Sequence, residues 1–193
     1  GDVYKRQELL GGNAEAEFTY RLANSEELKW LETISQNISG IIEFRSMAKF
    51  VEGGANERAL TQVKAVDNKY PLIGNVQLVS GKSFKDVFRQ PKSAVMESDL
   101  ASRLGINIGE TFSLGLTQFV LRDIIQSSPD DAGTNFGFGP RTIIKSEDLL
   151  DSGLIAPGTL FKAKYRLLIE PFENLDELRT LAKIKFENNG MRW

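Results

Sequence analysis

The sequence predicts an α+β fold of two lobes: a βα-type lobe formed by both chain ends, residues 8–80 and 158–193, and an inserted, mixed, mostly β lobe over residues 81–157. Three observations predict it. Glu15–Leu22 alternates polar and apolar residues as a half-buried strand does, and Asn24 with Glu27 three positions on forms a capping box for a following helix. The same order returns near the other end, where Leu160–Ile169 reads as a strand and Asn174 with Glu177 as a second capping box. Between them, Ala94–Ile125 reads as strand, short helix and hairpin. Tyr20-Arg21-Leu22 and Tyr165-Arg166-Leu167 echo one another, and the shared strand-then-helix order predicts that both ends join one layer.

Taken in order, Leu28, Leu31 and Ile34 place an apolar stripe on the first helix. Ile38–Val51 is rich in β-branched and aromatic residues and reads as a strand, the Glu52–Asn56 stretch with Gly53-Gly54 as a hairpin turn, and Arg58–Val66 as the return strand, with Leu60 and Val63 as apolar contacts. Asp67–Gly74 is irregular, since Pro71 discourages helix. A short strand over Ile73–Val79 and a short helix over Phe84–Gln90 follow. In the central unit Ala94-Val95-Met96 is a strand, and Ser98 or Glu97 caps a helix whose Leu100 and Leu104 share a face. Gly105 supplies a left-handed stop, and Thr111–Leu114 pairs with Phe119–Leu121 across Gly115-Leu116-Thr117. Gln126–Pro140 reads as a long loop, Thr142–Ile144 as a strand, and Ser146 as the cap of a helix that runs to Leu150 and stops at Gly153. Leu178, Leu181 and Ala182 stripe the last helix, and Met191–Trp193 begins a further strand after the Asn188-Asn189-Gly190 turn.

Composition removes several function classes. The 193 residues are 41% hydrophobic, enough for one medium domain or two small ones with real cores. A net charge of −2 gives no broad basic footprint, so no nucleic-acid partner is expected. With no cysteine and no histidine there is no thiol nucleophile, disulfide, Cys/His zinc site or histidine-based triad. No apolar run approaches the ~18 residues of a bilayer span. One reverse translation of Asp2–Gln7 is GATGTGTATAAGAGACAG, which looks like a transposon end used to tag DNA for sequencing. Gly1–Gln7 is therefore expected to be a scar outside the fold, with the natural protein beginning upstream.

Candidate chemistry is sparse. Asp130 and Asp131 could hold Ca²⁺ or serve acid–base work, but no ligand spacing accompanies them and a solvated loop explains them better. Gly133–Gly139 lacks the Walker lysine and the dinucleotide spacing. Lys92-Ser93 and Lys145-Ser146 are the available lysine–serine pairs, yet both suit surface and cap positions, and no G-x-S-x-G elbow exists. Leu28, Trp30 and Leu31 read as core rather than as a cofactor contact. Phe136 and Phe138 suit two roles: an apolar contact for a partner or cargo, or a satellite core folded inward by the glycines beside them. No catalytic residue, metal ligand or cofactor is assigned.

Several stretches together carry a family resemblance. Leu9-Leu10-Gly11-Gly12-Asn13, Ala65–Gly74 (AVDNKYPLIG), Leu100–Gly109 (LASRLGINIG) with Glu110, Gly139-Pro140-Arg141, Ser152–Ile155 and Pro157-Gly158 occur in this order over nearly the whole chain after residue 8. The set resembles the extracytoplasmic domain of MacB/FtsX/LolC-type ABC transporter permeases, nearest to YbbP-like permeases. The resemblance implies a domain between the first two membrane helices of a bacterial inner-membrane permease, facing the periplasm. It implies a porter lobe built from both ends and an inserted sabre lobe, matching the division drawn above. It implies that an ATP-binding cassette subunit hydrolyses ATP in the cytoplasm, that this chain is no enzyme, and that the cargo is lipid, lipoprotein or another apolar compound, with a periplasmic partner. The alternative is a stand-alone secreted α+β binding module. An apolar helix of ~20 residues on each flank would favour the permease, and a cleaved leader with a downstream stop the module.

Overall fold

The computed structural model describes residues 14–35, 37–52, 55–127, 139–150, 152–156, 158–169, 175–186 and 190–193. The first strand, β1 (Ala14–Thr19), buries Ala14, Ala16 and Phe18 on one face and turns Glu15 and Glu17 to the other. It stops earlier than its alternation suggests because Tyr20 takes φ 63, a left-handed conformation that breaks the ladder. Asn24 caps α1 (Ser25–Ile34): its side chain accepts from the Glu27 N–H and the Glu27 side chain accepts from the Asn24 N–H. Leu31 is fully buried beneath that helix.

Strands β2 (Asn37–Glu52) and β3 (Ala55–Val66) form a long antiparallel hairpin from Ile41↔Val66 to Glu52↔Ala55. A 16-residue strand spans roughly 50 Å, so β2 serves two neighbours in turn. Its first half pairs with β9 (Phe161–Leu168), and Ala48 and Lys49 further along pair with β6 (Thr111–Leu114). Residues 67–76 cross without regular structure, and β4 is only Gln77–Leu78, shorter than the expected Ile73–Val79 strand. The helix expected over Phe84–Gln90 is the single turn α2 (Phe84–Val87), capped by Ser83.

The central unit follows its expected order: β5 (Ser93–Glu97), α3 (Ser98–Leu104), β6 and β7 (Thr117–Ser127). Gly105 closes α3 at φ 70. Glu97 sits at the N-cap without capping, because its carboxylate accepts from the Arg141 backbone N–H and guanidinium instead. The β7 strand runs through Gln126 and Ser127, so the expected loop loses those two residues to the sheet. After β8 (Arg141–Lys145), Ser146–Leu149 forms a 3-10 turn rather than a Ser-capped helix, and the Ser146 hydroxyl donates to the Val66 carbonyl. The chain finishes with β9, α4 (Leu175–Phe186) and β10 (Met191–Arg192).

Among the described residues the ten strands form one sheet in the order β10-β1-β9-β2-β3-β8-β5-β7-β4, with β6 bridging β7 and β2. That bridge closes β2-β3-β8-β5-β7-β6 into a six-stranded barrel. Its interior holds Phe44, Val63, Met96, Phe112, Phe119, Leu121 and Ile144, and Leu100 and Leu104 of α3 pack on the same cluster. The barrel was not foreseen, because closure depends on two residue pairs between β2 and β6 that no local pattern announces. Beside it, β1, β9 and β10 extend β2 outward. The expected pairing of the two terminal strands is present, from Ala14↔Leu167 to Thr19↔Lys162. Leu31 of α1 and Leu178 of α4 pack on the same cluster of Ala14, Ala16, Phe18, Ala163 and Leu167, placing both helices on one face. A third cluster joins Val66, Tyr70 and Leu78 to Phe84, Val95, Ile125 and Ile143, so packing is continuous across residues 80 and 81. Both sheet edges, β10 and β4, are two residues long, which leaves little backbone open to strand addition.

Two apolar expectations are corrected. Leu60 is exposed, because it lies three residues from buried Val63 and successive strand residues alternate faces. Leu181 is exposed as well, since α4 turns Ala182 and Leu178 inward and leaves Leu181 and Ile184 outside.

Candidate functional site

The residues singled out for chemistry do not assemble into a reaction centre. The Ser93 hydroxyl donates to the Gln90 carbonyl and accepts from Arg122, while Lys92 Nζ lies 3.9 Å from Asp148. Ser146 donates to Val66, and Lys145 Nζ donates to the Asp67 carbonyl. Neither lysine is placed to take a proton from its serine. Trp30 packs against the terminal-layer cluster beside Trp193, at 6.0 Å between ring centroids, as expected for core. Asp130, Asp131, Phe136, Phe138 and the cap Asn174 lie outside the described residues, and Gly139 is the one described member of the glycine-rich stretch. Among the described residues no three carboxylates group as a metal site.

What the strands do bring together is a buried ionic seam, on the face opposite the two helices. The β9 sequence Phe161-Lys162-Ala163-Lys164-Tyr165-Arg166 puts three cations at a spacing of two, hence on one face. Neighbouring strands answer with carboxylates. Glu15 Oε1 is 3.4 Å from Arg166 Nε, and Glu17 Oε1 is 3.4 Å from Lys162 Nζ. Glu43 on β2 sits at the centre, 2.9 Å from Lys164 Nζ and 4.0 Å from Lys64 Nζ on β3. Glu43 and Lys64 are each only 5% exposed. The crossing segment covers them: Tyr70 places its ring 5.7 Å from Lys64 Nζ, and Asp67 accepts from Ser39 Oγ and the Gly40 N–H.

Electrostatics set the charge states of this seam. Burial works against the Glu43 carboxylate, but Lys164 and Lys64 outweigh it and hold the group below the ordinary carboxylate range. Burial pushes Lys64 down to about 7; Glu43 opposes that shift, and Arg166, Arg141 and Lys164 add to it. The seam therefore carries its central ion pair between Glu43 and Lys164, with Lys64 as a titratable third member. Sequence reading missed it, although the alternating cations of β9 and the lone Glu43 in the apolar run of β2 were the available signal.

Two apolar features face outward. Met47 and Leu60 are opposed across β2 and β3 and both lie on the exposed surface. Leu116, 84% exposed, tips the β6–β7 hairpin, and its N–H donates to the Ser152 carbonyl. Gly115 must be glycine for that docking: its φ is +56, and an added Cβ would stand 2.8 Å from the Ser152 carbonyl oxygen.

Comparison with known proteins decides the family. The MacB-like periplasmic core domain model matches residues 2–175. The chain belongs to that family. As a MacB-like periplasmic core domain it is an extracytoplasmic domain of the ABC-permease type, with the α+β fold the sequence predicted. Over 108 residues it is 29% identical to the uncharacterized ABC transporter permease YbbP of Escherichia coli (strain K12), a match spanning 55% of this chain and 13% of that relative. It is similar in fold to the extracellular domain of the noncanonic ABC-type transporter YknZ from Gram-positive bacteria. That similarity has a TM-score of 0.59 and 10% identity, covering 93% of this chain and 96% of that one. The periplasmic region of MacB from Actinobacillus actinomycetemcomitans gives a TM-score of 0.57 at 11% identity over 100% and 92% of the two chains. Among the described residues no helix is long and apolar enough to cross a membrane.

Proposed function

We propose that this MacB-like domain is the periplasmic part of a bacterial inner-membrane ABC transporter permease. In this reading it couples ATP hydrolysis by a separate nucleotide-binding subunit to extraction or export of lipid, lipoprotein or another apolar cargo. The single observation that carries the reading is the sharing of β2 between two layers. Motion delivered to the β1–β9–β10 layer reaches the barrel through one continuous strand, hydrogen-bonded to β9 in its first half and to β6 beyond Ala48. The register Glu17↔Arg192 and Phe18↔Met191 lays β10 antiparallel along β1, so the first and last strands are neighbours in this layer. The two-lobe division, with residues 8–80 and 158–193 as the porter lobe and 81–157 as the sabre lobe, belongs to the same proposal. So do Phe136 and Phe138 as a contact for partner or cargo.

The test reconstitutes the permease carrying this domain, with its ATPase subunit, into proteoliposomes and follows ATP-driven release of a labelled lipoprotein. Replacing residues 14–193 by a short Gly/Ser linker should leave basal ATP hydrolysis in place and abolish release. Release at the wild-type rate without the domain would reject the coupling role.

A further inference from the structure

A second constellation lies in the barrel wall, away from the ionic seam. A cleft of about 480 Å³ is lined by Lys82, Asp86, Val87, Arg89, Gln90 and Arg122, three cations against one carboxylate. The carboxylate is already engaged, since Asp86 pairs with Arg89 at 2.7 Å one helical turn along. Arg122 is held differently. Its Nε donates to Ser93 Oγ at 3.2 Å and its Nη2 to Gln90 Oε1 at 2.7 Å, both neutral acceptors. A guanidinium has five N–H donors in a fixed fork, so those two bonds orient the group and leave donors to spare. The neighbouring Asp123 is fully buried and already engaged: its carboxylate accepts from Ser80 Oγ and the Ser80 N–H. Ser80 also fixes the turn that presents Lys82, whose N–H donates to Ser80 Oγ at 3.1 Å. The cleft thus joins a preoriented fork to an exposed ammonium, with Val87 as an apolar wall and both nearby carboxylates, Asp86 and Asp123, already engaged.

We propose that this cleft binds a phosphate oxyanion, Arg122 engaging two oxygens through its fork and Lys82 supplying a second charge. The chemistry is shared by a lipid phosphate headgroup and a soluble phosphate, and the experiment separates them. The 193-residue chain is titrated calorimetrically with inorganic pyrophosphate, and in parallel floated with vesicles of phosphatidylcholine alone or with added phosphatidylglycerol. Saturable pyrophosphate binding at or below about 1 mM is expected, weakened about tenfold by Arg122→Gln and less by Lys82→Gln. Co-flotation only with phosphatidylglycerol, lost in the same variants, assigns the site to a lipid headgroup. Pyrophosphate binding without co-flotation assigns it to a soluble ligand. The Lys82 side chain is exposed, so Lys82→Gln is expected to fold normally and keeps the test sound if Arg122→Gln is unstable. Absence of saturable binding in both arms, or binding that neither substitution weakens, overturns the proposal.

Discussion

Replacing Glu43 by Gln is the sharpest probe of the ionic seam. The change keeps volume and removes one charge. At an effective dielectric near 20, unit charges at the observed 2.9 and 4.0 Å attract by about 6 and about 4 kcal/mol. Most of this offsets the cost of burying the ions, so the pair adds little net stability over an apolar replacement. Removing one partner alone is different: buried Lys64 and half-buried Lys164 lose their counter-charge, and the expected loss is about 3–5 kcal/mol. For a chain of this length that lowers the melting temperature by roughly 6–20 °C. The pH dependence adds a second signature. Glu43 titrates below its unfolded value, so its contribution is present above about pH 4.3 and is lost as pH falls through the folded value. Lys64 has the opposite consequence. With its folded value near 7 and its unfolded value near 10.4, the unfolded chain binds more protons between them, and stability rises with pH across that window. Urea unfolding of both proteins at pH 4, 6.5 and 9 should show the largest difference at 6.5. At pH 9 the difference should shrink by the share Lys64 carries, and at pH 4 it should begin to shrink because Glu43 of the unfolded chain takes up protons before the folded group does. A difference under about 1 kcal/mol at pH 6.5, or one independent of pH, would refute the assignment of Glu43 as the charged centre.

Three further outcomes follow from other parts of the fold. Asn24→Ala removes one half of the capping box and should cost about 1 kcal/mol in urea unfolding, with amide exchange accelerated in the first turn of α1. Gly115→Ala forces a Cβ against the Ser152 carbonyl at a left-handed backbone position. It should cost about 1–3 kcal/mol and speed proteolysis of residues 150–160, while an unchanged digestion rate would mean the hairpin tip does not depend on that docking. The double substitution Phe136→Ser, Phe138→Ser should leave melting unchanged and reduce transport by the full permease if the rings are a contact. A loss of about 3 kcal/mol or more per ring would assign them to packing.

How far the sequence could be read depended on whether a feature is local. The capping box at Asn24 and Glu27, the stop at Gly105, the hairpin at Gly115 and the joining of the terminal strands were all legible, because each depends on residues a few positions apart or on a repeated order. Leu60 and Leu181 were misjudged because an apolar residue near a stripe was counted with it, although strand and helix geometry turns each outward. Barrel closure through Ala48↔Leu114 joins residues far apart in sequence, and no periodicity signals it. The seam was partly legible: β9 displays its cations at a spacing of two, but their carboxylate partners sit on strands whose neighbours the sequence does not specify. The cleft around Arg122 combines a turn, a one-turn helix and a strand, and it becomes visible only once all three are placed.

The position of the charges within β2 points to a role beyond stability, and our hypothesis is that they fix register. Alternation along a strand has a period of two, so a one-residue slip of β2 against β9 exchanges its faces. Glu43 would then enter the apolar side among Phe44, Ala163 and Leu167, at the cost of an unpaired buried carboxylate. The apolar side alone tolerates a slip more readily, because Ile41, Ile42 and Phe44 offer hydrophobic residues to both faces. Replacing Glu43, Lys64 and Lys164 together by Leu, Met and Met tests the distinction. Apolar replacement of a whole buried ion cluster is expected to leave stability equal or higher by about 1–4 kcal/mol. If charge sets register, the cross-strand nuclear Overhauser contact between Ile42 and Ala163 should weaken and contacts one residue away should appear. A triple variant that is stable and keeps only the Ile42–Ala163 contact would show that packing alone holds β2 in place.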